Sequence, residues 1–393
     1  MARRRSRIGR LGVLFAVAAV ALATPVAAGA SSAASAGGPV VRGQSGTSVL
    51  RGTRAHLNDV ALVPHSNQAW AVGYWERSPG DERPLAYDWT HGGWYPTTVP
   101  NARLGAYLED VVATSARSVW AVGSYYASKY DHRPFAVHWN GKRWQRVGAP
   151  ALFGSLHGVS VAGGTLWAVG DAAESLGGDP VDTTLIVRWT GRAWKRVASP
   201  GLGYALNDVD AISAHNAWAV GNNDSRTLAA HWNGRKWARV RLPSPHNPVL
   251  EGVAALPTQV WVVGQSAATV SSPTHALALR WSAGRGWQRL RLPRLGASSA
   301  LHGVAATSTR NVWAVGEYQA PSGDSRPVAL HWNGRGWRGW TLPGPTGQVR
   351  LEGVATSAPG RVFAVGYNWF HYDPAYYAYL AGWNGRLWRS WHS

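Results

Sequence analysis

The stretch VWAVGSYYASKYDHRPFAVHWNGKRW, Val119–Trp144, places Trp120, Trp139 and Trp144 within 26 residues. The same pattern returns along the chain. Its Val-Trp-Ala-Val-Gly core recurs around Trp70, Trp120, Trp167, Trp218, Trp261, Trp313 and Phe363, at intervals of 43 to 52 residues. A second signature, Trp, a Gly-containing turn and another Trp, falls at Trp89/Trp94, Trp139/Trp144, Trp189/Trp194, Trp232/Trp237, Trp281/Trp287, Trp332/Trp337 and Trp383/Trp388. A third, Leu-x-Asp/Gly-Val, begins at Leu57, Leu108, Leu156, Leu206, Leu250, Leu301 and Leu351. Three independent counts agree on seven units.

Each unit reads as four short strands: Leu-x-Asp/Gly-Val-Ala, Val-Trp-Ala-Val-Gly, Ala-x-His-Trp and Trp-x-Arg-Val. No helix of useful length fits between them. Asn140-Gly141, Asn233-Gly234, Asn333-Gly334 and Asn384-Gly385 predict tight hairpins between strands three and four, because that dipeptide tolerates positive φ. Pro200, Pro243, Pro293 and Pro343 close fourth strands, where a missing amide donor is tolerated. Four-stranded antiparallel units of this length are blades, and the fold class is all-β, a seven-bladed β-propeller.

Blades that stack face to face bury both sheet surfaces, and large flat side chains fill the gap that widens toward the rim. Twenty of the 24 tryptophans belong to the repeat. Burying one removes about 150–250 Å² from water, roughly 4–6 kcal/mol gross before ordering entropy is subtracted. With no cysteine in the chain, packing replaces disulfides and thiolate metal sites are excluded.

The repeats from Leu57 to Trp391, with Val119-Trp120-Ala121-Val122-Gly123 on strand two and Trp144 on strand four, resemble divergent kelch-type blades of secreted bacterial propellers. Such blades usually carry a second glycine after strand two. Tyr74, Ser124, Asp171, Asn222, Gln265, Glu317 and Tyr367 stand there instead. The resemblance implies fold more than chemistry, with sugars or envelope partners as common ligands. The copper oxidases built on such a propeller need a Tyr-Cys cross-link, which a cysteine-free chain cannot form.

Residues 1–36 read as an export signal and small-residue linker: Arg3, Arg4, Arg5, Arg7 and Arg10, an apolar run Leu11–Ala23, then Ala-x-Ala sites. Residues 37–55 are a tail or, through Val40–Leu50, a closing strand, and 56–393 form the propeller. The formal charge of +19 falls to +14 when the signal's five arginines leave, since that segment holds no acid. The mature chain is therefore an extracellular, basic protein with no membrane span, expected to be a monomer.

Strand-two-to-three loops and the links between blades share one end of the ring and vary, whereas the opposite connections are short and alike. Binding residues favour variable loops on a rigid frame. Trp75 and Trp369 lie outside the repeat, in blades one and seven, which are neighbours in a closed ring. Tyr74, Trp75, Trp369, Phe370, His371 and Tyr372, with Tyr125, Tyr126 and Tyr130 of blade two, form the expected ligand-binding set. Their faces suit sugar rings, and Asp81, Asp131 and Asp373 can accept hydroxyl hydrogen bonds. The same residues can equally cover the blade tops.

The residue after each repeat Leu is polar: Asn58, Glu109, His157, Asn207, Glu251, His302 and Glu352. An inner first strand gathers them at the tunnel mouth, as a hydrated ring or, less commonly, a cation site. Asp-x-Arg-Pro at Asp81, Asp131 and Asp324 reads as a loop-to-strand brace. No catalytic residue, metal or cofactor is assigned; zincin, nucleophile-elbow and phosphate-loop motifs are absent. The expected function is an exported, non-catalytic binding module for glycans or cell-envelope polymer, with a protein partner second and no specific nucleic acid. A carbohydrate-active hydrolase or lyase, using a pair drawn from Glu109, Glu251 and Glu352, and a polyanion-binding scaffold remain open alternatives.

Overall fold

The computed structural model describes residues 54–392 apart from 79, 130, 176–179, 202, 224–225, 244–245, 270, 345–346 and 371–372. The export segment and Val40–Leu50 lie outside the described residues. Among the described residues, seven sheets of four consecutive antiparallel strands form the fold, with the strand order following the chain in every sheet. No helix among the described residues is long and apolar enough to cross a membrane.

Blade one comprises Ala55–Leu62, Ala69–Glu76, Glu82–Thr90 and Gly93–Thr97; blade seven comprises Gln348–Ala358, Arg361–Phe370, Asp373–Trp383 and Trp388–His392. The first strand of each blade packs against the first strands of its two neighbours, so these seven line the central axis. The Asn-Gly hairpins differ from the expectation in one respect. Trp139 pairs with Trp144, leaving a four-residue loop in which Gly141 has φ 90° and Asn140 does not adopt a positive φ. Asn140 is held by its side chain instead, whose Oδ1 accepts from the amides of Lys142 and Arg143 at 3.0 and 3.1 Å.

The repeated tryptophans meet across the seams between blades. Trp70 of blade one lies 5.0 and 5.2 Å from Trp139 and Trp144 of blade two, between ring centres. Trp167 meets Trp232 and Trp237 of the next blade at 5.0 and 5.3 Å, and Trp261 meets Trp332 and Trp337 at 5.4 and 5.7 Å. Most of these pairs are tilted or edge-to-face, the arrangement the ring quadrupole favours. Each strand-two tryptophan is thus buried against the following blade.

The ring closes by the same contact. Phe363 of blade seven packs on Trp89 and Trp94 of blade one at 5.2 and 5.3 Å. Phe is smaller than Trp, and Trp391 fills the difference, 5.1 Å from Trp89. Arg361 donates from Nη1 to the carbonyl of Ser66 at 2.5 Å across the same seam. Among the described residues each sheet is built from consecutive strands, and an isolated antiparallel bridge between Arg54 and Tyr377 of blade seven adds a backbone contact to the packed side chains of the seam.

Candidate functional site

In every blade the pairing of strands one and two slips by one residue at the same point, between Leu57 and Asp59 in the first and between Leu351 and Gly353 in the last. The skipped residues are Asn58, Glu109, His157, Asn207, Glu251, His302 and Glu352. The whole polar series therefore sits on β-bulges, a device that re-aims one side chain out of the pleat. Next to the bulge the carbonyl of the residue before the repeat Leu lies against the facing strand. A Cβ on Gly73, Gly123, Gly170, Gly221, Gly264, Gly316 or Gly366 would lie 1.9–2.1 Å from that oxygen. This contact explains why Val-Trp-Ala-Val is followed by glycine in all seven units.

Several bulge residues engage the side chain that follows the strand-two glycine. His157 Nε2 lies 2.6 Å from Asp171 Oδ1, and Asn207 donates to Asn222 at 3.0 Å and to the Leu250 carbonyl at 2.7 Å. Asn58 reaches the Leu108 carbonyl of the next blade at 2.6 Å. Between blades six and seven, Arg350 gathers two carboxylates: Glu352 Oε1 at 2.7 Å and Glu317 Oε1 at 3.8 Å. Arg350 Nη2 also donates to His302 Nδ1 at 3.3 Å, which leaves the ring proton on Nε2, toward Glu317 at 3.8 Å. Burial alone would raise the Glu317 carboxyl; Arg350 and His302 outweigh it and hold Glu317 below the usual range. Among the described residues no group of three His, Asp or Glu side chains is arranged to hold a metal ion.

Beside Arg350, whose register partner is Tyr367, the cluster turns aromatic. Trp369 meets Tyr367 at 5.5 Å, Tyr367 meets His56 at 3.8 Å, and His56 stacks on Tyr74 at 5.1 Å. Tyr74 touches Tyr107 at 6.3 Å, and Tyr107 touches Tyr126 at 6.2 Å. These six rings form a continuous arc over blades seven, one and two, flanked by Tyr376, whose ring meets Tyr367 at 5.0 Å and is 37% exposed. Polar partners fix the arc's far end: Tyr107 Oη lies 3.2 Å from His132 Nδ1, and Tyr126 donates to Glu82 at 2.7 Å. Burial raises the Tyr74, Tyr107 and Tyr367 hydroxyls, so all three are O–H donors at neutral pH.

The expected binding set is divided by this geometry. Trp75, Tyr125, Tyr126, Trp369 and Phe370 lie on the ends of second strands rather than in loops. Consecutive strand residues face opposite ways. Tyr74 joins the arc while Trp75 packs into the apolar seam with Leu85 and Ala378. Tyr126 joins it, while Tyr125 packs in the blade-one/blade-two seam under the guanidinium of Arg146 at 4.3 Å. Phe370 meets Tyr377 at 6.0 Å. Tyr130, His371 and Tyr372 lie outside the described residues. Sequence reasoning missed His56, Tyr107, His132, Glu82, Tyr376 and Arg350; the signal available was the residue preceding the repeat Leu, which supplies His56, Tyr107 and Arg350.

The Asp-x-Arg-Pro segments are braces. Asp81 pairs with Arg83 at 2.7 Å and Asp324 with Arg326 at 3.2 Å, and Asp131 accepts from Ser128 at 2.8 Å. Deeper along the axis, carboxylates tie inner strands together: Asp110 accepts the Val159 amide at 2.6 Å, Asp208 that of Val253 at 2.7 Å and Asp210 that of Ala255 at 2.8 Å. Burial, with repulsion from Asp110, raises Asp59 and Asp208, and burial pushes Asp210 up to about 6.

No family model matches the chain, and no curated protein matches it. Solved structures share its fold. The PL25 ulvan lyase, a polysaccharide lyase, aligns over 86% of this chain and 97% of its own with a TM-score of 0.58 and 12% identity, and it has also been solved bound to -[GlcA(1-4)Rha3S]-. YCF48 from Cyanidioschyzon merolae aligns over 85% and 97% with a TM-score of 0.52 and 15% identity. YjhT aligns over 75% and 98% with a TM-score of 0.50 and 9% identity. At these identities the likeness is one of fold.

Proposed function

We propose that this protein is an exported glycan-binding propeller of divergent kelch type, and that it holds a polysaccharide on the variable face without cleaving it. The observation that carries this reading is the arc Trp369–Tyr367–His56–Tyr74–Tyr107–Tyr126, whose rings cross three blades at the mouth of the axis. Aromatic faces cover the C–H faces of pyranose rings, and neutral phenols and carboxylates beside them supply donors and acceptors for hydroxyls. Leu104, Phe153 and Tyr376, three of the large apolar residues left exposed, lie at the same end of the blades. The structural likeness to a polysaccharide lyase is consistent with this ligand class.

The test is a glycan array probed with the wild type, Trp369→Ala/Tyr376→Ala and Trp369→Phe/Tyr376→Phe. Loss of binding in the alanine variant with retention in the phenylalanine variant supports the arc; equal binding by all three removes it. A second reading, β-elimination on a uronic acid, is favoured by the Tyr107–His132 contact of 3.2 Å, which offers a proton acceptor beside a phenol. It predicts that uronic-acid polymers gain ultraviolet absorbance from a new C=C bond, and that Tyr107→Phe abolishes the gain without abolishing binding.

A further inference from the structure

The chain from Gly252 to Gly316 contains no aspartate, glutamate or lysine in 65 residues, but it contains six arginines: Arg280, Arg285, Arg289, Arg291, Arg294 and Arg310. At the same end of the blades Glu76, Asp81, Glu82, Glu109 and Asp131 lie in blades one and two, and the acids of blade six, Glu317 and Asp324, are held by Arg350 and Arg326. Within this stretch Arg289, Arg291 and Arg294 therefore carry a positive charge that no acid of the same stretch offsets.

The fold converts that bias into a cavity. The segment leaving strand four of blade five (Gly286–Arg289) and entering strand one of blade six (Ser299–Ser308) crosses the start of strand three of blade five (His275–Ser282). It encloses a cleft of about 540 Å³, within the range of about 300–1,000 Å³ usual for small-ligand sites. Arg289, Arg291, Arg294 and His275 line it and are exposed, while Leu290 and Leu292 are half-buried and supply apolar surface. Among the described residues, no ion pair engages any of the three arginines. No acid lines the cleft beside these three guanidinium groups, so its lining is cationic and suited to an anion.

We infer that this cleft between blades five and six is a second subsite, which takes the anionic substituent, carboxylate or sulfate ester, of an acidic polysaccharide. The inference rests on the glycan-binding reading and narrows its ligand class. A guanidinium fork matches the paired oxygens of either group, and the leucine side chains suit the apolar face of the sugar that bears it. Nucleic acid fits less well, because single strands are held by bases stacked on aromatic platforms and no tryptophan, tyrosine or phenylalanine lines the cleft.

The test is calorimetric titration of the purified protein, and of Arg289→Gln/Arg291→Gln/Arg294→Gln, with four probes: an unsulfated uronic-acid tetrasaccharide, a sulfated tetrasaccharide, a neutral glucan tetrasaccharide and a single-stranded oligonucleotide of matched charge. The expected result is that at least one acidic tetrasaccharide binds, weakens about tenfold in the triple variant, and weakens further as salt screens the exposed arginines. The neutral probe should bind both proteins alike. Binding of the sulfated probe alone assigns a sulfate-ester site, binding of both a carboxylate-competent one, and competition by inorganic sulfate marks the anion as the recognised part. Unchanged acidic binding in the triple variant, no acidic binding at all, or tighter binding of the oligonucleotide overturns the inference. If the neutral glucan still binds, and is lost in Trp369→Ala/Tyr376→Ala, the aromatic site stands although the cleft fails; if no glycan binds, both fall.

Discussion

The ring of Phe363, in the last blade, lies 5.2 Å from that of Trp89 in the first. Residues separated by most of the chain thus complete the aromatic seam that every other pair of blades makes with two tryptophans of the next sheet. Among the described residues this seam joins the two ends of the chain through packed rings and one backbone bridge, Arg54 to Tyr377, so it is the point at which the ring is most open to disruption.

Trp89→Ala should lower stability by about 3–5 kcal/mol, the usual cost of deleting a packed aromatic, because Phe363, Trp94 and Trp391 all lose contact with it. Phe363→Leu should cost less. Urea unfolding followed by tryptophan fluorescence reads both, and equal stability of Trp89→Ala and wild type would show that the seam does not hold the ring.

The bulge makes a sharp prediction about glycine. Gly123→Ala places a Cβ about 2 Å from the Tyr107 carbonyl oxygen, so backbone must shift, whereas a Cβ at Gly148 meets nothing within 4 Å. We expect Gly123→Ala to destabilise by roughly 3 kcal/mol or more and Gly148→Ala to stay within about 0.5 kcal/mol of wild type. The comparison of denaturation midpoints decides it.

Arg350 is the counter-ion of both Glu352 and Glu317. Burial would lower its own pKa, but Glu352 and its neighbours raise it, so the guanidinium is charged at every working pH. Arg350→Met leaves two buried carboxylates facing each other and should cost about 3–5 kcal/mol. Adding Glu317→Gln and Glu352→Gln should recover much of the loss, which a purely steric role for Arg350 would not allow.

Stability should depend on pH in the sense opposite to that of a salt-bridged acid. Asp210 has its folded pKa raised from 3.8 to about 6, so the folded state holds a proton that the unfolded chain releases. That contribution is complete below the unfolded pKa and fades as pH rises through about 6. Its size should be about 1–2 kcal/mol, since partial exposure along the axis screens the charge. Asp210→Asn should flatten the pH 4–6 limb of the stability curve; an unchanged slope there would assign the limb to other groups.

Seven blades, their four strands and the tryptophans between them were legible in the chain because each depends on periodicity and on local turn chemistry, which the order of residues contains directly. The site was only half legible. Tyr74, Tyr126 and Trp369 stood out as aromatics, yet whether a residue near a strand end faces the arc or the seam is decided by pleat and bulge, and Trp75 and Tyr125 fall on the apolar side. The polar series after each Leu was visible as a pattern, but its partners were not. Asp171, Asn222 and Glu317 are brought to it by inter-strand register, and Arg350 serves a histidine 48 residues earlier because two blades share a wall. Sequence determines which residues recur; the slip of one residue between two strands, a property of hydrogen bonds formed only once the sheet exists, determines where they point.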